Sequence, residues 1–418
     1  MEVAIISISA LIFIIILGSI RSDLNIGIFA LAFSYCIGFF FSGMTSPEIS
    51  LLFPSDLFLM LVGITLMSNI SLLNGTLEKI AVLFITFSKG KPHLMPLIIF
   101  FSAFLLSAIG AGNIAATALI APFALTLASR LGLNLIMTII IICTGANAGT
   151  FSPVATTGII NNGLMNKIGI DSSLLSTDIF LYTALIQSVT AAAAYFIFKG
   201  YSLKKTNHKV IKEYKIVPLN IQQWLTLLAA VILFVSVIFL KIPVGLAAFS
   251  LSSILFVLKT ASLEKVIREI PWGVILLVTG ITVLIGIIER SGGMDLAATF
   301  IASNSSLSYI NGLLAFVSGL VSVYSSSTGV VLPAFIPLLP ELIDKFGGGD
   351  IMKMIIAVDV GSHMVDVSPL SVLGALCLSA LPSGENKPLI FRKLLLWGIS
   401  MAFVGALLSF IFLDLLVL

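Results

Sequence analysis

The chain has 418 residues, of which 59% are hydrophobic and only 10% charged, and its mean hydropathy is +1.17. So little polar surface cannot cover a water-soluble globule, which places the chain in a bilayer. The net charge of +3 would invite a nucleic-acid reading in a soluble protein, but the basic residues lie at the ends of apolar runs and in loops, where they set orientation, so no nucleic-acid partner is expected.

In chain order, apolar runs of spanning length fall at 2–19, 25–42, 57–73, 134–165 and 178–198, and again at 223–240, 243–259, 273–289, 351–380 and 394–417. The first run has no basic leader and no small-residue cleavage pattern before Arg21, so it reads as a helix that stays, not a signal peptide. Between the third and fourth run of each half comes a short amphipathic stretch (75–89; 292–303). Two apolar pieces then follow, hinged on a small polar tip. The pieces 93–109 and 114–130 meet at Gly110-Ala111-Gly112-Asn113, and 307–323 and 329–345 meet at Tyr324 through Thr328. Each pair reads as a re-entrant hairpin.

The halves align with each other. Pro54 meets Pro271, Gly63-Ile64-Thr65 meets Gly280-Ile281-Thr282, Gly75 meets Gly292, and further on Pro122 meets Pro337 and Ser152-Pro153 meets Ser368-Pro369. The expected fold is an all-α polytopic membrane protein of two repeats, each with five transmembrane helices, a re-entrant hairpin and a broken helix. Residues 1–200 form the first repeat (hairpin about 92–131, broken helix about 134–165), 201–221 a cytoplasmic basic linker, and 222–418 the second (hairpin about 306–345, broken helix about 351–380). Five is odd, so the second repeat starts on the opposite face and the topology is inverted. With the linker inside, only Lys167, Lys241, Arg290, Lys345 and Lys353 of the 22 Lys and Arg fall outside, and both termini are outside.

Irregular backbone at membrane depth is tolerated only inside protein or beside a wet cavity, so the two tips and the two Pro-broken helices are where chemistry is expected. No Lys or Arg lies in any of the four. An anion there is held by helix N-termini, amides and hydroxyls, together with a co-bound cation. The substrate-binding set is Asn113, Ser152, Pro153, Thr156, Ser327, Thr328, Ser368, Pro369 and Ser371. Asp359, His363 and Asp366, spaced four and three apart, share one helical face, and a carboxylate at the centre of a membrane helix costs about 2.5–3.5 kcal/mol, which marks these residues as functional. The cation-binding or coupling set is Gly112, Asn147, Thr150, Ser325, Ser326, His363, Asp366 and Asp359, with sodium possible at the hairpin tips.

No protease, hydrolase or nucleotide motif is present; Gly347-Gly348-Gly349-Asp350 falls in a loop and lacks a second catalytic carboxylate. The isolated Cys36, Cys143 and Cys377 indicate neither a disulfide framework nor a thiolate metal site. The chain is expected to be no enzyme and to need no cofactor beyond a sodium ion or proton as coupling ion.

The segments LLNGTLEKI, LSAIGAGNIAATALIAPFA, TGANAGTFSPVATTGIINNGLM and VDVSPLSVLGALC resemble the malonate/dicarboxylate carrier (MatC-like) family over nearly the whole chain. More distantly, the layout is similar to the divalent-anion/sodium symporters, whose Ser-Asn-Thr tips and Thr-Pro breaks align with Gly112-Asn113-Ile114, Ser327-Thr328-Gly329, Ser152-Pro153 and Ser368-Pro369. Only Asn113 keeps the first tip pattern, and the second has no Asn. The resemblance implies a homodimeric elevator in the bacterial inner membrane, with the first two helices of each half as scaffold and the hairpins plus broken helices as the moving block. The expected function is cation-coupled symport of a small dianion such as malonate or succinate. The alternatives are an ion antiporter or oxyanion exporter of the same fold, or the membrane subunit of a binding-protein-dependent carboxylate transporter.

Overall fold

The structure, a computed structural model, describes residues 2–21, 24–80, 94–202, 218–240, 242–324, 326–382 and 384–415. Most of the basic linker (203–217), residues 81–89 of the first amphipathic stretch, and Ser325 of the second tip lie outside the described residues. Among those described, every regular element is helical. The first half comprises α1 (Glu2–Ile20), α2 (Ile26–Cys36, continued by a π turn over Ile37–Phe41) and α3 (Ser55–Leu73). It goes on with α4 (Met95–Leu106), α5 (Gly112–Leu131), α6 (Leu135–Thr150), α7 (Thr156–Lys167) and α8 (Ser172–Ile197). The second half has α9 (Ile221–Ile238), α10 (Val244–Val257), α11 (Trp272–Arg290), α12 (Gly293–Ser303) and α13 (Ile310–Tyr324). An irregular helical limb over 327–346 ends in α14 (Leu339–Phe346) and is followed by α15 (Ile351–Met364), α16 (Val372–Ser379) and α17 (Lys387–Ser409).

Among the described residues, six helical stretches are long and apolar enough to cross a membrane: Ser55–Leu73, Met95–Leu131, Ser172–Ile197, Trp272–Arg290, Ile351–Ser379 and Lys387–Asp414. The expected crossings at 2–19, 25–42, 223–240 and 243–259 fall on shorter apolar helices, and 134–165 falls on two helices, α6 and α7. Met95–Leu131 is not straight. Both of its limbs, α4 and α5, lie on the 16-residue α6 and on each other, and a helix of that length runs only about 24 Å. The chain therefore doubles back at the tip. It does so through a π turn at Ser107–Ala111, with Gly110 and Gly112 at φ of 119° and 75°, a conformation that side chains with a Cβ resist. At the second tip the π turn follows the bend, over Ser327–Val331, and both sides of that bend touch α15.

Corresponding segments of the two halves pack in matching ways. α2 lies along α11, and α10 along α3; α4 lies on α6, and α13 on α15. α5 touches α16, while the 327–346 limb touches α7, so each hairpin meets the far half of the other half's broken helix. The Gly of both Gly-Ile-Thr runs sits at one of these crossings. A Cβ on Gly280 would lie 2.1 Å from the Gly27 carbonyl oxygen, and one on Gly63 would lie 3.1 Å from the carbonyl oxygen of Gly245. Without a hydrophobic drive between helices in lipid, such backbone approach at small residues is what holds helices together.

The broken helices are the most enclosed elements. Of the spanning window in Ile351–Ser379, 89% is buried, against 33% for α8 and for Lys387–Asp414 on the periphery. That enclosure lets irregular backbone exist at membrane depth. Outside the spans, Lys345 at the end of α14 pairs with Asp295 of α12 at 2.5 Å, which holds the lysine above its ordinary pKa and ties the amphipathic helix to the second hairpin. Both partners are substantially exposed, so the pair adds little stability.

The Gly27–Gly280 crossing is directly testable. Gly280→Ala drives its methyl into a backbone oxygen and is expected to lower the melting temperature of the purified protein by an overpacking cost of about 1–3 kcal/mol. Gly273→Ala, two turns earlier on the same helix with its nearest neighbour at 3.6 Å, is expected to leave it unchanged.

Candidate functional site

The two helix breaks are built alike. α6 stops at Thr150, residues 151–155 turn through Ser152-Pro153, and α7 starts from an extended Ala155. α15 stops at Met364, a 3₁₀ turn follows over Val365–Val367, Ser368-Pro369 turns, and α16 starts from an extended Ser371. In each break the serine carbonyl lies against a glycine six residues on; a Cβ on Gly158 or Gly374 would sit 2.1 Å from the oxygen of Ser152 or Ser368. Neither α7 nor α16 is capped by a side chain, so their first amides remain available to a ligand.

Between the tips and the breaks lies a cavity of about 360 Å³, a volume that suits a small ligand. Gly112, Asn113, Thr156, Thr157, Ser326, Ser327, Thr328, Asp366 and Ser371 all line it, together with Thr65, Ser68 and Asn69 of α3 and Glu269 and Pro271 just before α11. The N-termini of α5, α7 and α16 meet at this space. Among the described residues no Lys, Arg or His lines it, while two carboxylates do: Asp366, buried, and Glu269, exposed.

One hydrogen-bond network joins the walls. Asn113 Nδ2 donates to Asn147 Oδ1 (2.8 Å), and Asn147 Nδ2 donates to Asp366 Oδ2 (3.0 Å) and to the His363 carbonyl (2.8 Å). Ser327 Oγ donates to Asp366 Oδ1 at 2.7 Å, and Ser371 Oγ reaches the same oxygen at 3.4 Å. Side chains from the second tip and from both broken helices thus reach one carboxylate, and the first tip joins them through Asn147. A second chain of hydroxyls runs Thr150–Thr157 (2.8 Å), Thr157–Thr328 (3.3 Å) and Thr328–His363 Nε2 (3.4 Å). The imidazole packs edge-on to Phe151 with ring centroids 4.8 Å apart.

The sequence-derived residues divide by place. Asn113, Thr156, Ser327, Thr328, Ser371, Gly112, Ser326 and Asp366 line the cavity; Asn147, Thr150 and His363 sit buried behind it and bond to its walls. Ser152, Pro153, Ser368 and Pro369 shape the breaks without lining the cavity. Asp359 and Asp366 take different partners: Asp366, in the 3₁₀ turn that follows α15, accepts from Ser327, whereas Asp359, two turns earlier, pairs with Asn161 of α7 (2.9 Å) outside the cavity. The residues missed were Thr65, Ser68, Asn69 and Glu269. The repeat itself carried their signal, since Ser68, Asn69 and Glu269 each face an apolar residue or glycine, Ile285, Gly286 and Leu52, in the other half.

No curated protein matches the chain. Its first 150 residues, which span α1 to α6 with the first tip, match the family described as Dicarboxylate carrier protein MatC N-terminus, so this part of the chain is similar to dicarboxylate carriers.

Proposed function

We propose that the protein is a secondary active transporter that carries a small dicarboxylate such as malonate or succinate together with a sodium ion or proton. The observation that supports this most is the composition of the cavity: a dianion is expected in a space that, among the described residues, has no basic side chain and two carboxylates. Two unit charges 4 Å apart still interact by about 4 kcal/mol at an effective dielectric of 20, so an anion entering beside Asp366 needs that charge neutralised. A cation on Asp366 does so, and the hydroxyls of Ser327 and Ser371 with the Asn147 amide oxygen offer further oxygen ligands close by. The anion's carboxylates then take the free amides of α7 and α16 and the polar groups of Asn113 and Thr328.

The reciprocal packing of the halves supports an inverted-topology repeat. On that reading the tips and broken helices travel as one block against α1, α2, α9 and α10, in the elevator manner the family resemblance implies. Such a carrier is expected to be a homodimer in the bacterial inner membrane with both termini outside. The pair Glu269 and Asp366 in one cavity favours a second reading, a cation antiporter of the same fold, in which no organic anion moves.

Uptake of labelled malonate and succinate by proteoliposomes, with sodium and proton gradients imposed separately, separates the two. Gradient-driven uptake that falls by roughly ten- to a hundredfold in Asp366→Asn is expected, in line with about 1.5–3 kcal/mol for a bond to a charged group. No dicarboxylate uptake under either gradient puts the antiporter first. Within the cavity, Ser327→Ala is expected to weaken apparent affinity several-fold, while Ser152→Ala, whose hydroxyl does not reach the cavity, keeps it; equal losses in the two variants contradict this assignment.

A further inference from the structure

The Asp359–Asn161 pair lies outside the transport cavity and no step of uptake uses it. Asp359 is fully buried on α15 and Asn161 is 1% exposed on α7. Asn161 Nδ2 donates to Asp359 Oδ2 at 2.9 Å. The other oxygen of each side chain, Asp359 Oδ1 and Asn161 Oδ1, is buried with no hydrogen-bond partner. Two acceptors left without a donor in one buried acid–amide pair lack a single hydrogen between them. An ionised carboxylate has none to give, whereas a carboxylic acid donates one O–H and keeps an acceptor for the amide. Sodium or another hard cation fits poorly, since it takes about six oxygens and only two are unpaired here.

We propose that Asp359 carries a proton, donates it to Asn161 Oδ1, and retains it throughout transport as a neutral clasp between the two broken helices. The pair then closes as a two-bond acid–amide ring. It fastens the far half of one broken helix, α7, to the near half of the other, α15, on the side of the site away from Asp366. No charge is left uncompensated at membrane depth, where a lone carboxylate is costly. Among the described residues nothing around it supplies a counter-charge. His363, one turn on, turns its Nδ1 to the Asp359 main-chain carbonyl (3.0 Å) and to Ser362 Oγ (2.9 Å). Lys167 at the far end of α7 reaches the Thr282 carbonyl (3.4 Å), and Lys345 pairs with Asp295. Neither Lys353 on α15 itself, nor Asp178, Tyr182 and Tyr195 on α8, nor Glu341 and Asp344 on α14, nor Lys387, Arg392 and Lys393 on α17, hydrogen-bond its carboxyl group.

Infrared spectroscopy of the purified protein in lipid at neutral pH tests this without relying on transport. A carbonyl-stretch band of a protonated carboxylic acid is expected in the unaltered protein and lost in Asp359→Asn. That variant replaces the ring by an amide–amide pair of the same shape, so it is expected to keep its melting temperature and its uptake rate. Asn161→Ala, which removes the acceptor, is expected to move the same band to higher frequency and to lower the melting temperature. The proposal is overturned if no acid band disappears in folded Asp359→Asn, if Asn161→Ala leaves the band in place, or if folded Asp359→Asn loses uptake while Asp366→Asn behaves as described above.

Discussion

In hydrocarbon a polar group has no water to turn to, and the Asn147 side chain is where this structure meets that constraint. Its oxygen takes the Asn113 amide from the first tip, and its nitrogen serves both Asp366 and the His363 carbonyl at the second break. With Ser327 from the second tip completing the set, one network through Asn147 and Asp366 joins both tips and both broken helices. Each needs the others. A tip or a break alone would leave unpaired polar groups in a medium where each costs several kcal/mol.

That dependence explains why the site lies between the halves and not within one. The close glycine crossings hold α2 on α11 and α3 on α10, and each hairpin rests on the other half's broken helix. On the reading of the chain as a duplicated unit, divergence gives one cavity two unlike sides. One break brings Asn147 and Thr150; the other, at the corresponding positions, brings His363 and Asp366. The neutral amide and the carboxylate become partners across the pseudo-symmetric interface, and the acid is caged by neutral donors with no counter-charge.

Much of this was legible in the sequence. The duplicated Pro, Gly-Ile-Thr and Ser-Pro positions located both tips and both breaks, because Pro and Gly interrupt apolar runs for local steric reasons that need no knowledge of the fold. The bounds of α3 and α11 fell within two residues of the apolar runs, as did the C-terminal end of α8 and the start of α15. What was not legible depended on a change of helix type or on contacts between distant segments. Asp359 and Asp366 take different partners, Asn161 and Ser327, on segments that the sequence does not place beside them. Glu269, Ser68 and Asn69 reach the cavity only because α3 and the approach to α11 pass beside the tips. Ser152 and Ser368 showed the reverse, since they mark the breaks in sequence yet turn away from the space those breaks create.

The central claim is that this cavity admits a dianion only with a cation beside it. Calorimetric titration of the purified protein with malonate, across a range of sodium concentrations and of pH, tests it most directly. The account predicts that malonate affinity rises with sodium or with proton concentration, and that malonate raises the affinity for that same cation by an equal factor. Malonate binding of constant affinity across both ranges would contradict it.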